Sequence, residues 1–246
     1  MRLRGLHALL LLLLSALTLA ASPTPVPNDA LIKIYAPSSG SMVTNPLRVL
    51  ASVSPGAGGN VSLRLTSETG RIVASRDWIF NTVGGKRITI DQNFPITVDG
   101  VAEAARMQIF TRDSEGRLIA LSSEDLLLLS IGKTKLIEAG DLLEPFQLFH
   151  PIADETIRHG IVEVEMNVRV RQPSLLVIEL VGPDRSVISG KQLPQVFQAA
   201  REFTPITATL QYQVNQKTRA RLTLRLIDPQ TKENLAVFSQ VVNLYP

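Results

Sequence analysis

From residue 47 onward, the apolar positions of this chain recur at every second residue. Leu47, Val49, Ala51 and Val53 alternate with Arg48, Leu50 and Ser52, and Val61, Leu63 and Leu65 alternate with Ser62, Arg64 and Thr66. Successive side chains of a strand point to opposite faces, so each apolar set is expected to line a core while its neighbours meet water. Further runs follow at Ile88 and Ile90, ended by Asn93-Phe94-Pro95, and at Met107, Ile109 and Thr111. Small and polar clusters at 56–60 and 67–70 punctuate the runs as turns, and Gly84-Gly85-Lys86 reads as a hairpin turn.

The alternation is cleaner in the second half. Val162, Val164, Met166, Val168 and Val170 face one way; Glu163, Glu165, Asn167, Arg169 and Arg171 face the other. This register predicts Val164, Met166 and Val168 buried, with Glu165 and Arg169 exposed. Rows at Leu176/Ile178/Leu180, at Ile206/Ala208/Leu210/Tyr212/Val214 and at Leu222/Leu224/Leu226 complete the set, the last alternating with Arg221, Thr223 and Arg225.

The two halves match. Residues 106–129 and 221–244 each read as strand, polar turn and strand, with turns Asp113-Ser-Glu-Gly and Asp228-Pro-Gln-Thr-Lys. Pro37 answers Pro151, the Gly70 turn answers the Asp184 turn, Phe94 answers Phe203 and Asp113 answers Asp228. A repeat of roughly a hundred residues is a domain rather than a solenoid unit, and about seven short antiparallel strands in that length suit an immunoglobulin-like sandwich. The expected fold is therefore all-β: two tandem immunoglobulin-like antiparallel β-sandwich domains at 31–132 and 146–246, joined by a linker at 133–145. Each copy carries its own inward rows and is expected to fold by itself, and the leucines of the linker suggest that it packs against a domain.

The opening, Ile32-Lys-Ile-Tyr-Ala-Pro-Ser-Ser-Gly-Ser-Met-Val-Thr-Asn-Pro-Leu-Arg-Val, resembles the immunoglobulin-like domain of bacterial spore germination and sporulation proteins. The strand and turn at 61–70, Phe94 and the turn at 113–116 fit the same pattern. The resemblance covers 31–131 well and 146–244 loosely. In the second copy His150-Pro151 and Gly160 remain, but His-Gly-Ile replaces Asn-Pro-Leu. It implies an extracytoplasmic, non-catalytic module of the kind appended to other domains, and carries over no functional residue.

Residues 1–22 have the three-part layout of a secretory signal peptide: Arg2 and Arg4, an apolar stretch from Leu6 to Leu19, then Ala20-Ala21-Ser22. The apolar stretch is shorter than the roughly 20 residues of a spanning helix, so cleavage is expected, with an uncleaved membrane anchor as the alternative. Residues 23–30 form a Pro-rich tether. The expected localisation is secreted or extracytoplasmic, in the cell envelope.

Composition narrows the chemistry. The net charge is +3, two of its positive charges lie in the signal segment, and the remainder is near neutral, with no electrostatic footprint for nucleic acid. Absence of cysteine removes disulfides, thiolate metal sites and a Cys nucleophile. The histidines are His7, His150 and His159; the last two flank a turn and with Asp154 or Glu155 are the only set resembling a metal or base site, against the plainer reading of two loop histidines. Paired carboxylates such as Glu124-Asp125 and Glu163/Glu165 are expected on solvent faces. Trp78 and Phe80 share a strand face and are candidates for a sugar-binding platform, but aromatics are only 5% of the chain, which favours a place in the first core. No catalytic residue, metal ligand or cofactor is expected. The reading is an exported, non-catalytic binding or structural module of the envelope, presenting sandwich loops or edges to a protein or glycan partner. Its rival is an extracytoplasmic hydrolase with a site between the domains.

Overall fold

A computed structural model describes residues 30–56, 58–81, 86–139, 142–200 and 202–246. The expected signal peptide, the tether up to residue 29 and Gly84-Gly85 lie outside the described residues.

The chain is all-β. The first copy contains β1 (Ile32–Ala36), β2 (Met42–Thr44), β3 (Leu47–Val53), β4 (Asn60–Ser67), β5 (Ile72–Ile79), β6 (Ile88–Phe94), β7 (Ala102–Arg112) and β8 (Leu118–Leu129). The second contains β9 (Phe146–His150), β10 (Thr156–Ile157), β11 (Ile161–Val168), β12 (Ser174–Val181), β13 (Val187–Phe197), β14 (Thr204–Gln211), β15 (Thr218–Ile227) and β16 (Asn234–Leu244). In each copy a small sheet, β1-β3-β6 or β9-β11-β14, packs on four strands of a larger one, β8-β7-β4-β5 or β16-β15-β12-β13.

The cores follow the alternation. Val49, Ala51 and Val53 of β3 face Leu63, Leu65, Met107, Ile109 and Leu128 across the first sandwich, all fully buried. Val164, Met166 and Val168 of β11 face Leu176, Ile178, Leu180, Leu222 and Leu224 across the second. Removing each such side chain from water is worth about 1.5–3 kcal/mol, which fixes the register, because a one-residue slip would turn every one of them outward. Glu165 is exposed as expected. Arg169 is half-buried instead, its guanidinium 4.9 Å from the centre of the Phe203 ring.

In each copy the first strand changes sheets at a proline. β1 pairs with β3, and past Pro37 the chain crosses to lay β2 parallel to the end of β8. β9 pairs with β11, and past Pro151 the chain lays β10 parallel to the end of β16. Both Ala36-Pro37 and His150-Pro151 are cis.

The two large half-sheets are one. The first half of β8 pairs antiparallel with β16, Ala120 opposite Phe238, Leu121 opposite Val237 and Ser122 opposite Ala236. Together with β2 and β10 this makes a single ten-stranded sheet running from β13 to β5. Ala120 belongs to the first core and its partner Phe238 packs on the second, so both small sheets lie on the same face. Leu121 and Val237 occupy matched places in the two copies and face each other, as residues do at an isologous two-fold contact. On the opposite face, Phe110, Leu121 and Val237 form a small third apolar cluster.

The linker runs along the first sandwich. Lys135 and Met42 exchange both backbone hydrogen bonds, Ser38 Oγ donates to the Ile137 carbonyl, and the Ile137 amide donates to Ser41 Oγ. Leu136 and Ile137 are exposed. The attachment therefore goes through backbone and serine hydroxyls rather than through apolar side chains.

Candidate functional site

At the domain junction the charges come in matched pairs. Arg106 of β7 reaches the turn between β15 and β16, with Nη2 2.7 Å from Asp228 Oδ2 and Nη1 3.2 Å from Glu233. Arg221, at the matching place on β15, reaches the turn between β7 and β8, its Nη1 3.2 Å from Asp113 Oδ2. Hydroxyls follow the same rule: Ser123 Oγ donates to the Leu235 carbonyl at 2.8 Å, and Ser239 Oγ to the Ile119 carbonyl at 3.1 Å. Burial alone would raise Asp113, but the Arg117 amide and guanidinium and the charge of Arg221 hold its carboxyl below the usual range. Burial likewise opposes ionisation of Asp228, and is outweighed by Arg106 and the amides of Gln230 and Thr231.

Alternation on β15 placed Arg221 and Thr223 in water; both are buried. The same correction applies to Glu124, expected on a solvent face and found buried. Arg221 is met by Asp113 of the neighbouring copy, whereas Glu124 lies in the inward row of β8, opposite Met107, and is met by Ser39 of its own copy and Arg171 of the other.

Glu124 lines a cleft of about 70 Å³ between the copies, with Glu144 of the linker and Arg171 just past β11. Glu124 Oε2 accepts from the Ser39 amide at 2.8 Å and from its hydroxyl, and Oε1 lies 3.5 Å from Arg171 Nη1. Its carboxyl is raised by burial, against the opposing pull of Ser39 and Arg171. Glu144 Oε2 accepts from the Leu31 amide at 3.3 Å, and burial pushes its carboxyl up to about 7. Glu144, able to carry a proton near neutrality, and Glu124, whose carboxyl is also raised, therefore face a space with room for a few waters.

The other candidates lie elsewhere. Trp78 and Phe80 stand on edge strand β5 and just beyond it, stacked with centroids 6.5 Å apart; Trp78 also meets Phe94 edge-on at 6.1 Å. Both are half-buried and pack on the first core. His150 Nδ1 is 3.5 Å from Glu155, in a shallow depression shared with Arg158 and Glu163. His159 does not line that depression, and Asp154 is drawn away to Arg219 at 3.4 Å. Among the described residues no three His, Asp or Glu side chains gather as a metal site.

No family model and no curated protein matches the chain. Among solved structures it is similar to red sea bream transglutaminase, at 8% identity and a TM-score of 0.31, over 91% of this chain and 32% of that one. A glycosyl hydrolase family 2 member from Bacteroides cellulosilyticus gives 11% identity and 0.28, over 90% and 31%. Extracellular domains 3–5 of Drosophila OTK give 12% and 0.25, over 89% and 67%. The chain thus spans about a third of the first two proteins. Likenesses at this level assign neither a ligand nor an activity.

Sequence reasoning passed over the junction residues, although a signal for them existed. Arg106 and Arg221, and Asp113 and Asp228, recur at the same 115-residue spacing. Charges repeated in both copies beside core leucines mark a contact that both copies make.

Proposed function

We propose that this chain is an exported, non-catalytic binding or structural module of the bacterial cell envelope, which presents sandwich loops or sheet edges to a protein or glycan partner. The observation that carries this reading is the junction. Continuous β8–β16 pairing, closed on both sides by ion pairs, sets the loops and outer edges of two sandwiches at one fixed spacing, which suits presentation of a surface. The edges still open on the long sheet are β5 and β13, and strand addition at such an edge is a recurrent way of holding a partner. The resemblance of residues 32–49 to a spore germination module supports placement outside the cytoplasm, and no helix among the described residues is long and apolar enough to cross a membrane. The test is sedimentation of the purified protein with isolated envelope material, followed by assay of the supernatant. Saturable binding with no release of soluble fragments is expected; steady release of fragments would overturn the reading.

The hydrolase reading has one observation in its favour, the cleft with Glu124 and Glu144, where a raised carboxyl suits a general acid. It requires a hydrolytic activity that disappears in both Glu124→Gln and Glu144→Gln while the fold is kept.

A further inference from the structure

Beside the junction, Arg112 and Arg185 meet at Gly116, with Arg64 on the strand that pairs with β7, and among the described residues none of the three has an acid partner. Arg112 ends β7 and its Nη1 donates to the Gly116 carbonyl at 2.7 Å. Arg185, from the turn between β12 and β13 of the other sandwich, lies against the same glycine: its Nη1 is 3.5 Å from where a Cβ on Gly116 would stand. Arg64 points outward from β4, and its charge acts on Arg112 together with that of Arg185. Burial and these two like charges leave Arg112 less basic than an ordinary arginine, in spite of Asp113 and Asp77. The nearby acids are already engaged. Asp113 is held by Arg117 and Arg221, Glu115 by Ser114 and Arg117, and Asp77 by the Ser62 hydroxyl. Among the described residues, none of the three arginines has a carboxylate within ion-pair distance.

Two domains thus bring like charges onto one residue. Gly116 takes a φ of 81°, and Arg185 packs beside it at ordinary contact distance. Guanidinium groups from three elements offer more donors than one planar carboxylate can use, and they suit an anion with several acceptor oxygens and more than one charge.

We propose that Arg64, Arg112 and Arg185 form a binding site for a dianionic tetrahedral oxyanion of the phosphate-monoester class. The site rests on these three groups alone, so it stands whether the chain is a module or a hydrolase. Its oxyanion is either a free ion or a phosphate carried on a larger molecule.

The experiment is titration of the full chain with inorganic phosphate and, separately, with methyl phosphate, at constant ionic strength in a phosphate-free buffer, followed by calorimetry. Saturable binding to one site is expected, weakened about tenfold or more by Arg112→Gln and by Arg185→Gln. Arg48→Gln, which removes an exposed partner of Asp91 elsewhere on the surface, is expected to bind like the parent. Binding of methyl phosphate as tight as that of phosphate assigns the site to a carried group, and preference for phosphate assigns it to the free ion; both support the site. Lack of saturation, an equal response to chloride, or unchanged binding in correctly melting Arg112→Gln and Arg185→Gln proteins would overturn it.

Discussion

Arg106 crosses the domain junction to Asp228, Nη2 to Oδ2 at 2.7 Å, with its side chain only 11% exposed and that of Asp228 16%. Removing one partner of a buried pair leaves the other charge without compensation, and that loss exceeds the net worth of the pair. Arg106→Ala is therefore expected to lower stability by about 3 kcal/mol in urea unfolding. A double-mutant cycle with Asp228→Ala should return a coupling of about 1–3 kcal/mol. Simple additivity of the two losses would show that the contact does not hold the junction.

The acid limb of stability depends on Asp113 and Asp228. Both carboxyls are held below their ordinary values in the folded protein. Their contribution is present above the unfolded value, roughly pH 4, and is lost as pH falls through the lower folded value. Asp113→Asn and Asp228→Asn should each be less stable than the parent at neutral pH and should lose less on going below about pH 4. Thermal melting across pH 2 to 7 measures both.

Glu144 acts in the opposite sense. With its carboxyl raised by burial to about 7, the folded protein holds a proton that the unfolded chain releases near pH 4.5. Its stabilisation is complete below the unfolded value and fades as pH rises through about 7, a change on the order of 3 kcal/mol. Glu144→Gln should flatten stability between pH 5 and 8. A parent protein with no slope in that range would count against a buried, protonated Glu144.

Val168 is 1% exposed inside the second core. A carboxylate placed there has no partner, and its burial costs several kcal/mol, comparable to the whole stability of a small domain. Val168→Asp should unfold the second sandwich, read as loss of its cooperative transition, whereas Glu165→Lys on the wet face of the same strand should melt like the parent.

The junction is isologous, so one copy alone carries both halves of it: an Arg106, an Asp113 and a β8 edge. Residues 30–132 made separately are expected to fold and then to dimerise through β8, with Leu121 opposite its equivalent, measurable by light scattering at micromolar concentration. Leu121→Lys should leave monomers. A wild-type fragment that stays monomeric would show that the two copies no longer complement themselves.

Much of the fold was legible in residues such as Val164, Met166 and Val168, because burial on one face writes a period of two into the sequence. The repeat of Asp113 as Asp228 disclosed two domains. The junction was not legible from alternation, since Arg221 occupies an outward position that Asp113 of the neighbouring domain meets, and Glu124 is a charge in the inward row of β8, opposite Met107, where Ser39 and Arg171 meet it. Arg169 failed for a related reason: a long side chain on an outward position can still lie along an aromatic ring. The candidate sites fared differently again. His150 and His159 are nine residues apart in a chain that turns between them, and spacing alone does not say that only His150 lines the depression beside Glu155.

Joining the two copies in one chain has released them from symmetry. Gly70 and Arg185 take matched left-handed turn positions, at φ of 83° and 69°, as do Gly116 and Lys232, at 81° and 62°. In a dimer of identical chains each pair would have to be the same residue, and any cation placed at one turn would appear twice. Here one copy has glycine at both turns while the other has Arg185 and Lys232. The scaffold stays two-fold while its surface is free to differ on either side, and one half can drift toward a new partner without the other following.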